Sequence, residues 1–410
     1  MADLLGFTSI AIVSFITLLI AFRCKDISII LYTALVFRIF VILIGHYIAP
    51  LPDSTADATT FERQAWIIGQ DGFFNVIKLF SSPTLGEYQS PISGFISWFI
   101  AIPYSLFGRS ILMAQSISMF FGIACVFVGW KLSTKIWDKR AARKVAWTIA
   151  LFPSLVLYSV LVLREVYVSF FLLVAIYGVY DWAKTESLKS IIIAITGFLG
   201  ATLFHGSMIV GAIIFTIIVG IIYLKKMLTS LINFRINFKK TIIFLIVLIS
   251  LQSFISNKIE VTYLGNFKDA TNLDYLIERT NISTRGDASW PEWTKIKTNL
   301  EFFYKAPLRS IYFIFSPFPW DVKNIKHLIG MFDAFFYTYM SYLILSNIKY
   351  IWKDPCLRII LLILLGYIFV FGLGVGNFGT GIRHRSKFVI IFILLSVPLI
   401  KKVIFFKKTK

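Results

Sequence analysis

The segment that decides the fold reads ILMAQSISMFFGIACVFVGWKLSTKIWDKRAARK over residues 111–144. Residues 111–130 contain no charged side chain, and such a run has the length and composition that a helix needs to cross the hydrocarbon core of a bilayer. A dense group of Lys and Arg follows over residues 131–144. Short connections rich in these residues remain on the cytoplasmic side. The segment therefore predicts a membrane-spanning helix whose C-terminal end faces the cytoplasm.

The same apolar pattern recurs along the whole chain. Of its 410 residues, 58% are hydrophobic and 15% are charged, whereas soluble proteins have about 45–50% and about 25%. The runs predict an all-α, polytopic integral membrane protein with about eleven transmembrane helices in a single domain over residues 1–410. Residues 145–163 and 241–257 are two of the predicted crossings.

The net charge of +20, from 41 Lys and Arg against 21 Asp and Glu, is an orientation signal. The basic residues cluster in short connections and in the tail over residues 401–410, which the positive-inside rule assigns to the cytoplasm. We therefore expect a multi-pass protein of the plasma (inner) membrane with a cytoplasmic C-terminus. Membrane lipids are the expected surroundings, and nucleic acid is not an expected partner.

Two regions are predicted to lie on the outer face. Residues 49–110 form a first outer loop with juxtamembrane helices, and residues 258–327 form a second outer insertion. Each contains an apolar piece, residues 92–107 and 308–320, that is short for a complete crossing. A crossing at either piece would also place the basic clusters that follow on the wrong side.

The first outer loop begins with an acidic stretch, PDSTADATTFER over residues 52–63. Its three carboxylates, Asp53, Asp57 and Glu62, lie within ten residues and are candidate catalytic groups, because a positioned carboxylate can accept a proton. The alternative is a solvated loop whose acidic residues only maintain solubility.

The pair Arg164-Glu165 interrupts two apolar runs, residues 155–163 and 166–174. Ionisable residues at such a place are costly unless they are paired, hydrated or functional. Glu165 is therefore a candidate second acid and Arg164 a candidate ligand for phosphate. The alternative is a hairpin turn at the interface, where both side chains reach water.

A third unusual stretch reads GNFGTGIRHR over residues 376–385. Its three glycines would allow tight turns that present amide groups to an anion, and arginine is suited to bidentate contacts with phosphate. The alternative is an interfacial loop in contact with lipid headgroups. The candidate residues of this stretch for binding substrate or phosphate are Asn377, Arg383, His384 and Arg385. His205, at the predicted outer end of another helix, is a further candidate.

Several short motifs occur in a fixed order between the acidic stretch and Trp182. They are DATTF at residues 57–61, SPI at 90–92, LFGRS at 106–110, KRAA at 139–142, LFPS at 151–154 and Arg164-Glu165. This ordered set resembles the GT-C superfamily of membrane glycosyltransferases, in particular its protein-mannosyltransferase and lipid A aminoarabinose-transferase branch. The C-terminal pattern resembles membrane proteins of bacterial surface-polysaccharide clusters.

The resemblance implies a GT-C-like fold, with Asp57 as a base or metal ligand on the outer face and Glu165 as a second acid. A divalent metal held by these two carboxylates is the cofactor that it implies. It also implies an inverting displacement on a sugar linked to polyprenyl phosphate.

We therefore predict a glycosyltransferase that uses a polyprenyl-phosphate sugar donor on the periplasmic or exterior face. Its acceptor would be a glycan or a lipid-linked molecule, in the assembly of a surface polysaccharide or glycolipid. This prediction requires Asp57, Arg164-Glu165 and the C-terminal arginines to converge. Two alternatives remain open: a polymerase of O-antigen or exopolysaccharide that acts on repeat units linked to polyprenyl diphosphate, and a transporter of lipid-linked oligosaccharides.

Overall fold

The computed structural model describes residues 1–79, 91–232, 260–261, 265–266, 273–282 and 288–400. The helices of the first half are α1 (Ala2–Arg23), α2 (Ser28–Tyr47), α3 (Asp57–Gly69), α4 (Phe73–Leu79), α5 (Pro91–Phe107), α6 (Ile111–Ile136), α7 (Lys139–Leu151), α8 (Pro153–Tyr158), α9 (Glu165–Thr185), α10 (Leu188–Phe204) and α11 (Ile209–Ile232). Those of the second half are α12 (Leu273–Ile282), α13 (Asn299–Phe315), α14 (Ile325–Ser346), α15 (Ile348–Lys353), α16 (Pro355–Gly374), α17 (Phe378–Ser386) and α18 (Val389–Ser396). The two strands found among these residues are β1 (Glu260–Val261) and β2 (Gly265–Asn266), which pair antiparallel.

Six helical segments in the described part of the chain are long and apolar enough to cross a membrane. They are Ala2–Arg23, Lys25–Tyr47, Ile111–Ile136, Glu165–Thr185, Gly206–Thr229 and Pro355–Gly374. The predicted all-α membrane protein is thus confirmed. Of the remaining predicted crossings, residues 241–257 lie outside the described residues, as does the basic tail over 401–410.

Residues 145–163 do not form one continuous helix, in contrast to the prediction. Helix α7 ends at Leu151, α8 begins at Pro153, and residues 159–164 are not helical. Proline has no N–H to donate and is favoured at the first position of a helix, so Pro153 starts a new helix. The irregular residues 160–163 are at most 4% exposed, and such backbone is tolerated at membrane depth where protein buries it.

Arg38 of α2 forms hydrogen bonds on both sides of this break. Its side chain is fully buried. Its Nε donates to Ser159 Oγ at 2.8 Å, and its Nη1 donates to the carbonyl oxygen of Ala150 at 2.9 Å. A Cβ on the neighbouring Gly122 would lie 2.5 Å from the Ser159 Cβ, so the close approach of these helices requires glycine. Arg38 is therefore enclosed by protein and fixes α2 to the end of α7.

The packing of α6 against α9 places two charged regions at opposite ends of the fold. Ser118 Oγ lies 3.0 Å from Tyr167 OH near the start of both helices, and Tyr180 OH donates to the Lys135 carbonyl near their ends. The two helices therefore run parallel. Glu165, which begins α9, lies about 22 Å along the axis from Tyr180, at a rise of about 1.5 Å per residue. The basic connection that follows α6 is thus distant from Glu165.

Candidate functional site

Three of the predicted residues meet at one point, although they are far apart in sequence. Asp57 is the first residue of α3, Glu165 is the first residue of α9, and Arg383 belongs to α17. Arg383 Nε donates to Glu165 Oε1 at 2.7 Å, and its Nη1 donates to Asp57 Oδ2 at 2.5 Å. A carboxylate at the start of a helix is stabilised by the helix dipole. The two contacts of Arg383 confirm the expected convergence of the three segments.

The two carboxylates occupy different environments. The side chain of Asp57 is 53% exposed, whereas that of Glu165 is 1% exposed. Arg164 is also largely buried, and its guanidinium lies over the ring of Phe61 at 5.0 Å. The Arg164-Glu165 pair is thus not an interfacial hairpin turn with both side chains in water. Arg383 connects a buried negative charge to one that solvent can reach.

Lys387 is a further member of this cluster, and the sequence analysis missed it. Its Nζ lies 3.1 Å from Glu165 Oε1 and 2.5 Å from His384 Nδ1. Its side chain is completely buried. Residues four apart lie on the same face of a helix, so the spacing between Arg383 and Lys387 was a signal that could have identified it. Without a partner, a buried ammonium group is very costly.

Positive charge exceeds negative charge at this site. Two carboxylates, Asp57 and Glu165, face Arg383, Arg164 and, when it is protonated, Lys387. Arg164 is counted because it lies close enough to act electrostatically on Glu165 and Lys387. An excess of buried positive charge favours an anionic ligand, since the ligand would supply the missing countercharge.

Two polar atoms at the centre of the cluster lack a hydrogen-bond partner among the described residues. They are Glu165 Oε2 and Arg383 Nη2, and both are buried. Most buried polar atoms in proteins have a partner in the protein or in ordered water. Glu165 Oε2 is an acceptor and Arg383 Nη2 is a donor, so each can form a hydrogen bond with a bound group or with water.

Two histidines complete the cluster on its protein side. The rings of His205 and His384 have centroids 5.2 Å apart, and each lies 5.4 Å from the ring of Phe371. Burial, together with the neighbouring positive charge of Lys387, holds the pKa of His384 well below its usual value. Its imidazole is therefore neutral at pH 7 and can either accept or donate a hydrogen bond.

Two of the predicted acids lie outside this cluster and make contacts that hold the fold. Glu62 accepts hydrogen bonds from Tyr104 OH at 2.9 Å and from two nitrogens of Arg109 at 2.9 and 2.7 Å. It thereby joins α3 to the connection between α5 and α6. Asp53 accepts from Tyr158 OH at 2.8 Å, and Tyr158 lies close enough to Glu165 and Arg383 to interact with both electrostatically, so one hydrogen bond connects Asp53 to a neighbour of the cluster. Hydrogen bonds to a charged group contribute about 1.5–3 kcal/mol each, which gives both acids a structural purpose.

Arg385 faces away from the cluster. Residues two apart on a helix point in nearly opposite directions, and Arg385 is completely buried against α13 and α14. It binds Asp333 through Nε at 3.0 Å and Nη2 at 2.7 Å, and its Nη1 donates to the carbonyls of Ile314 and Ser316, both at 2.8 Å. Its donors are thus used within the protein.

The glycine-rich stretch is helical rather than an open turn. Asn377 Oδ1 accepts from Thr380 N at 2.7 Å and caps α17, and Gly381 N donates to the Asn377 carbonyl at 3.0 Å. Asparagine is among the favoured N-cap residues, so this stretch begins a helix at Phe378. The side chain of Asn377 acts as a helix cap, and part of the amide surface expected for an anion is used inside the helix.

The residues of the cluster do not fit a divalent metal. Both candidate ligands, Asp57 and Glu165, bind the guanidinium of Arg383, and the Lys387 ammonium adjoins the same Glu165 oxygen. A metal ion at this place would be repelled by these two cations. Among the residues that the structure describes, no group of three or more His, Cys, Asp or Glu side chains could hold a metal.

The Lys387 ammonium predicts a pH dependence for anion binding. Burial lowers the pKa of Lys387, Glu165 opposes this effect and the charges of Arg383 and Arg164 add to it, with a net pKa of about 7. The group is therefore charged below about pH 7 and neutral above it. We expect the affinity for a lipid phosphodiester, whose own charge is constant in this range, to fall as the pH rises through this value. The affinity of the purified protein, measured between about pH 6 and 9, tests this expectation. That range includes the change in charge of a group with a pKa near 7.

Lys387→Gln provides the control for this measurement. The variant should bind the phosphodiester more weakly than the wild type at low pH, and its affinity should not change through neutrality. An unchanged pH dependence in this variant would assign the titration to another group.

No family model matches this chain, and no match was found among curated proteins or solved structures. The proposed function therefore depends on the contacts among the described residues.

Proposed function

We propose that this chain is a GT-C-like membrane glycosyltransferase that transfers a sugar from a polyprenyl-phosphate donor. The observation that carries the proposal is the position of Arg383, between the exposed carboxylate of Asp57 and the buried carboxylate of Glu165. A reaction that breaks a sugar–phosphate bond needs a cation at the phosphate and a base at the attacking hydroxyl. Arg383 and Asp57 are candidates for these two groups, and they are already in contact.

The cations would stabilise the departing phosphate. Arg383 Nη2 is free to donate among the described residues, and Lys387 adds a second positive charge on the same side of Glu165. Charge-assisted hydrogen bonds to phosphate are about twice as strong as neutral ones. Glu165 keeps its contact with both cations and would hold them in the orientation that the phosphate requires.

Asp57 would accept the proton of the acceptor hydroxyl. A phosphate that binds Arg383 competes with Asp57 for the same guanidinium, so donor binding would release the carboxylate. The hydroxyl oxygen then attacks the anomeric carbon, and the bond from that carbon to the phosphate oxygen breaks with both electrons remaining on the oxygen. The hydroxyl proton passes to Asp57, and the anomeric configuration inverts.

The proposed orientation places this site at the periplasmic or exterior face. Glu165 begins α9, and the basic residues Lys139 and Arg143 lie beyond the opposite end of the parallel helix α6. Short basic connections favour the cytoplasmic side, which supports the exterior position of Glu165. Lys144, next to that basic connection, donates to the carbonyl of Ile400 at 2.7 Å, which supports a cytoplasmic C-terminus. The apolar helices would then offer the isoprenoid tail of the donor a route within the same leaflet.

A polymerase that acts on repeat units linked to polyprenyl diphosphate is the second candidate. The excess of three cations over two carboxylates favours it, because a diphosphate carries more negative charge than a phosphodiester. Deletion of the gene in the source cell separates the two. Glycan that stops at a single repeat unit supports the polymerase, whereas glycan or lipid that lacks one sugar supports the transferase.

The transferase proposal predicts that Asp57→Asn loses transfer activity by about 10²–10⁴-fold, because the amide cannot accept the proton. Its thermal unfolding should remain close to that of the wild type, since the Asp57 side chain is half exposed. Purified protein in vesicles, supplied with lipid-linked sugars from the source cells, measures the rate.

Asp71→Asn is the matched control for this variant. Asp71 is also an exposed carboxylate that follows α3, and its substitution should leave transfer unchanged. Full turnover by the Asp57→Asn protein would remove Asp57 from the reaction.

A further inference from the structure

The loop that leads into Asp57 is attached to the end of α8 by a side-chain hydrogen bond. Asp53 Oδ2 accepts from Tyr158 OH at 2.8 Å. Tyr158 is the last residue of α8 and is 2% exposed, whereas Asp53 is exposed. A buried group of the protein thus holds an exposed loop four residues before the carboxylate of Asp57.

The backbone between Asp53 and Asp57 adopts conformations that L-residues seldom adopt. Asp53 has a φ of 59°, and Ala56 has a φ of 57° with a ψ of −109°. Aspartate tolerates the left-handed region, but a residue with a Cβ and the angles of Ala56 is strained. Strained residues persist where the surrounding contacts determine the conformation, and they occur often at functional sites. The contacts on either side of Ala56 therefore maintain this turn.

These contacts bind the turn at both of its ends. After the turn, the Ala56 carbonyl accepts from the amide of Thr60 at 2.9 Å and from Oγ1 of Thr59 and of Thr60 at 2.9 and 2.8 Å, which begins α3. Before the turn, the Asp53 side chain is bound to Tyr158. The direction in which α3 starts depends on these two attachments.

Tyr158 belongs to the segment that also supplies the buried carboxylate of the cluster. Residues 159–163 follow it, are buried, and lead to Glu165 at the start of α9. Tyr158 lies close enough to Glu165 and Arg383 to interact with both electrostatically. The segment therefore supplies one carboxylate of the cluster directly and is attached, through Asp53, to the loop that carries the other.

We propose that Asp53 and Tyr158 are positioning residues that hold the Asp57 carboxylate at the cluster, where it contacts Arg383. Without their hydrogen bond, the strained turn at Ala56 can relax and Asp57 would leave Arg383 more often. The bond would also keep Asp57 beside the donor after the phosphate has displaced it from Arg383, and proton transfer needs such a fixed position. This inference rests on the proposed function in one respect, the role of Asp57 as the base.

Chemical modification of Asp57 in the full-length protein tests the proposal without turnover. A water-soluble carbodiimide with an added amine converts accessible carboxyl groups to amides, and mass spectrometry of the digested protein gives the rate at Asp57. Tyr158→Phe and Asp53→Ala should each raise this rate by about two- to tenfold, the shift of a local equilibrium when one hydrogen bond is lost. Asp71, an exposed carboxylate that follows α3, is the internal reference, and its rate should stay constant.

Asp53→Asn separates a positioning role from a catalytic one. The asparagine Oδ1 can still accept from Tyr158 OH but cannot take up a proton. The rate of modification at Asp57 in this variant should therefore lie between those of the wild type and Asp53→Ala, and glycosyl transfer should follow the same order. The double variant Asp53→Ala/Tyr158→Phe should show no larger effect than the single variants, because all three lose the same bond.

Three results would overturn the proposal. One is an equal rate of Asp57 modification in the wild type, Tyr158→Phe and Asp53→Ala. Another is a rise at Asp71 as large as that at Asp57 in both variants, which would show a general loosening of this part of the protein. The third is a complete loss of transfer by Asp53→Asn with unchanged modification of Asp57, which would make Asp53 a catalytic group.

The modification also separates this inference from the proposed function. If the rate at Asp57 rises in the variants as expected and the wild-type protein transfers no sugar, the positioning of Asp57 stands and the proposed function alone is contradicted.

Discussion

Arg383→Ala is expected to reduce glycosyl transfer by at least about 10²–10³-fold, the loss that follows removal of one group that stabilises developing charge in a transition state. Arg383 contacts both carboxylates of the cluster, and its Nη2 has no hydrogen-bond partner among the described residues. The variant leaves the departing phosphate with Lys387 and Arg164 only. The rate of transfer by the purified protein in vesicles measures the loss.

Two further variants make this prediction specific. Arg383→Lys retains the charge but removes the planar fork that binds an anion through two nitrogens, so its rate should lie between those of the wild type and Arg383→Ala. Arg109→Ala also removes an arginine from a carboxylate, that of Glu62, but outside the cluster, and should retain transfer. Wild-type turnover by Arg383→Ala would exclude the phosphate role of Arg383.

Arg385→Ala is expected to destabilise the fold by about 3–5 kcal/mol, the usual cost of removing one partner from a buried ion pair. Arg385 is fully buried, and the substitution leaves Asp333 with a buried charge that lacks its partner. The carbonyls of Ile314 and Ser316 lose a donor as well. Thermal unfolding of the protein in detergent measures the effect.

The double variant Arg385→Met/Asp333→Leu is the control for this prediction. Replacing both members of a buried pair with apolar residues is often neutral or stabilising, so the double variant should be more stable than Arg385→Ala. If Arg385→Ala unfolds like the wild type but transfers no sugar, Arg385 belongs to the site and not to the framework.

These two arginines show what the sequence could predict and what it could not. Both occur in one short basic stretch. An arginine in such a stretch indicates an anion-binding site as readily as a buried ion pair. Their separation into different roles depends on the rotation of α17 about its axis, because residues two apart face nearly opposite directions. That rotation follows from the cap at Asn377, which is local, and from the contact with Asp333 on α14, which is a tertiary contact that the sequence of the stretch does not encode.

The membrane class and the convergence of the cluster were predictable for a physical reason. Apolar length is a local property, so composition and run length are enough to identify spanning helices. Charges inside apolar segments are costly unless they are paired, hydrated or functional, which singled out Glu165, and in the structure its partner is Arg383. Its second cation, Lys387, directly precedes an apolar run, and its role in the cluster depends on a tertiary contact with Glu165.

The break between α7 and α8 was missed because hydropathy does not report backbone geometry. Residues 145–163 are apolar enough for a crossing, but Pro153 starts a new helix in the middle of the run. Arg38 from α2 bonds Ala150 and Ser159 on the two sides of this break, which is a tertiary contact. The predicted number of about eleven crossings depends on such segments, and six helices among the described residues are long and apolar enough to cross a membrane.

The most direct test of the central claim uses the lipid-linked intermediates that accumulate when the gene is deleted in the source cell. These lipids are extracted, placed in vesicles with the purified wild-type protein, and followed by mass spectrometry. The claim predicts that the wild type consumes an accumulated polyprenyl-linked sugar and forms a new glycosidic bond, and that Arg383→Ala does not. If the deletion strain accumulates no such lipid, or if the wild type and Arg383→Ala consume it equally, glycosyl transfer at the Asp57–Arg383–Glu165 cluster is contradicted.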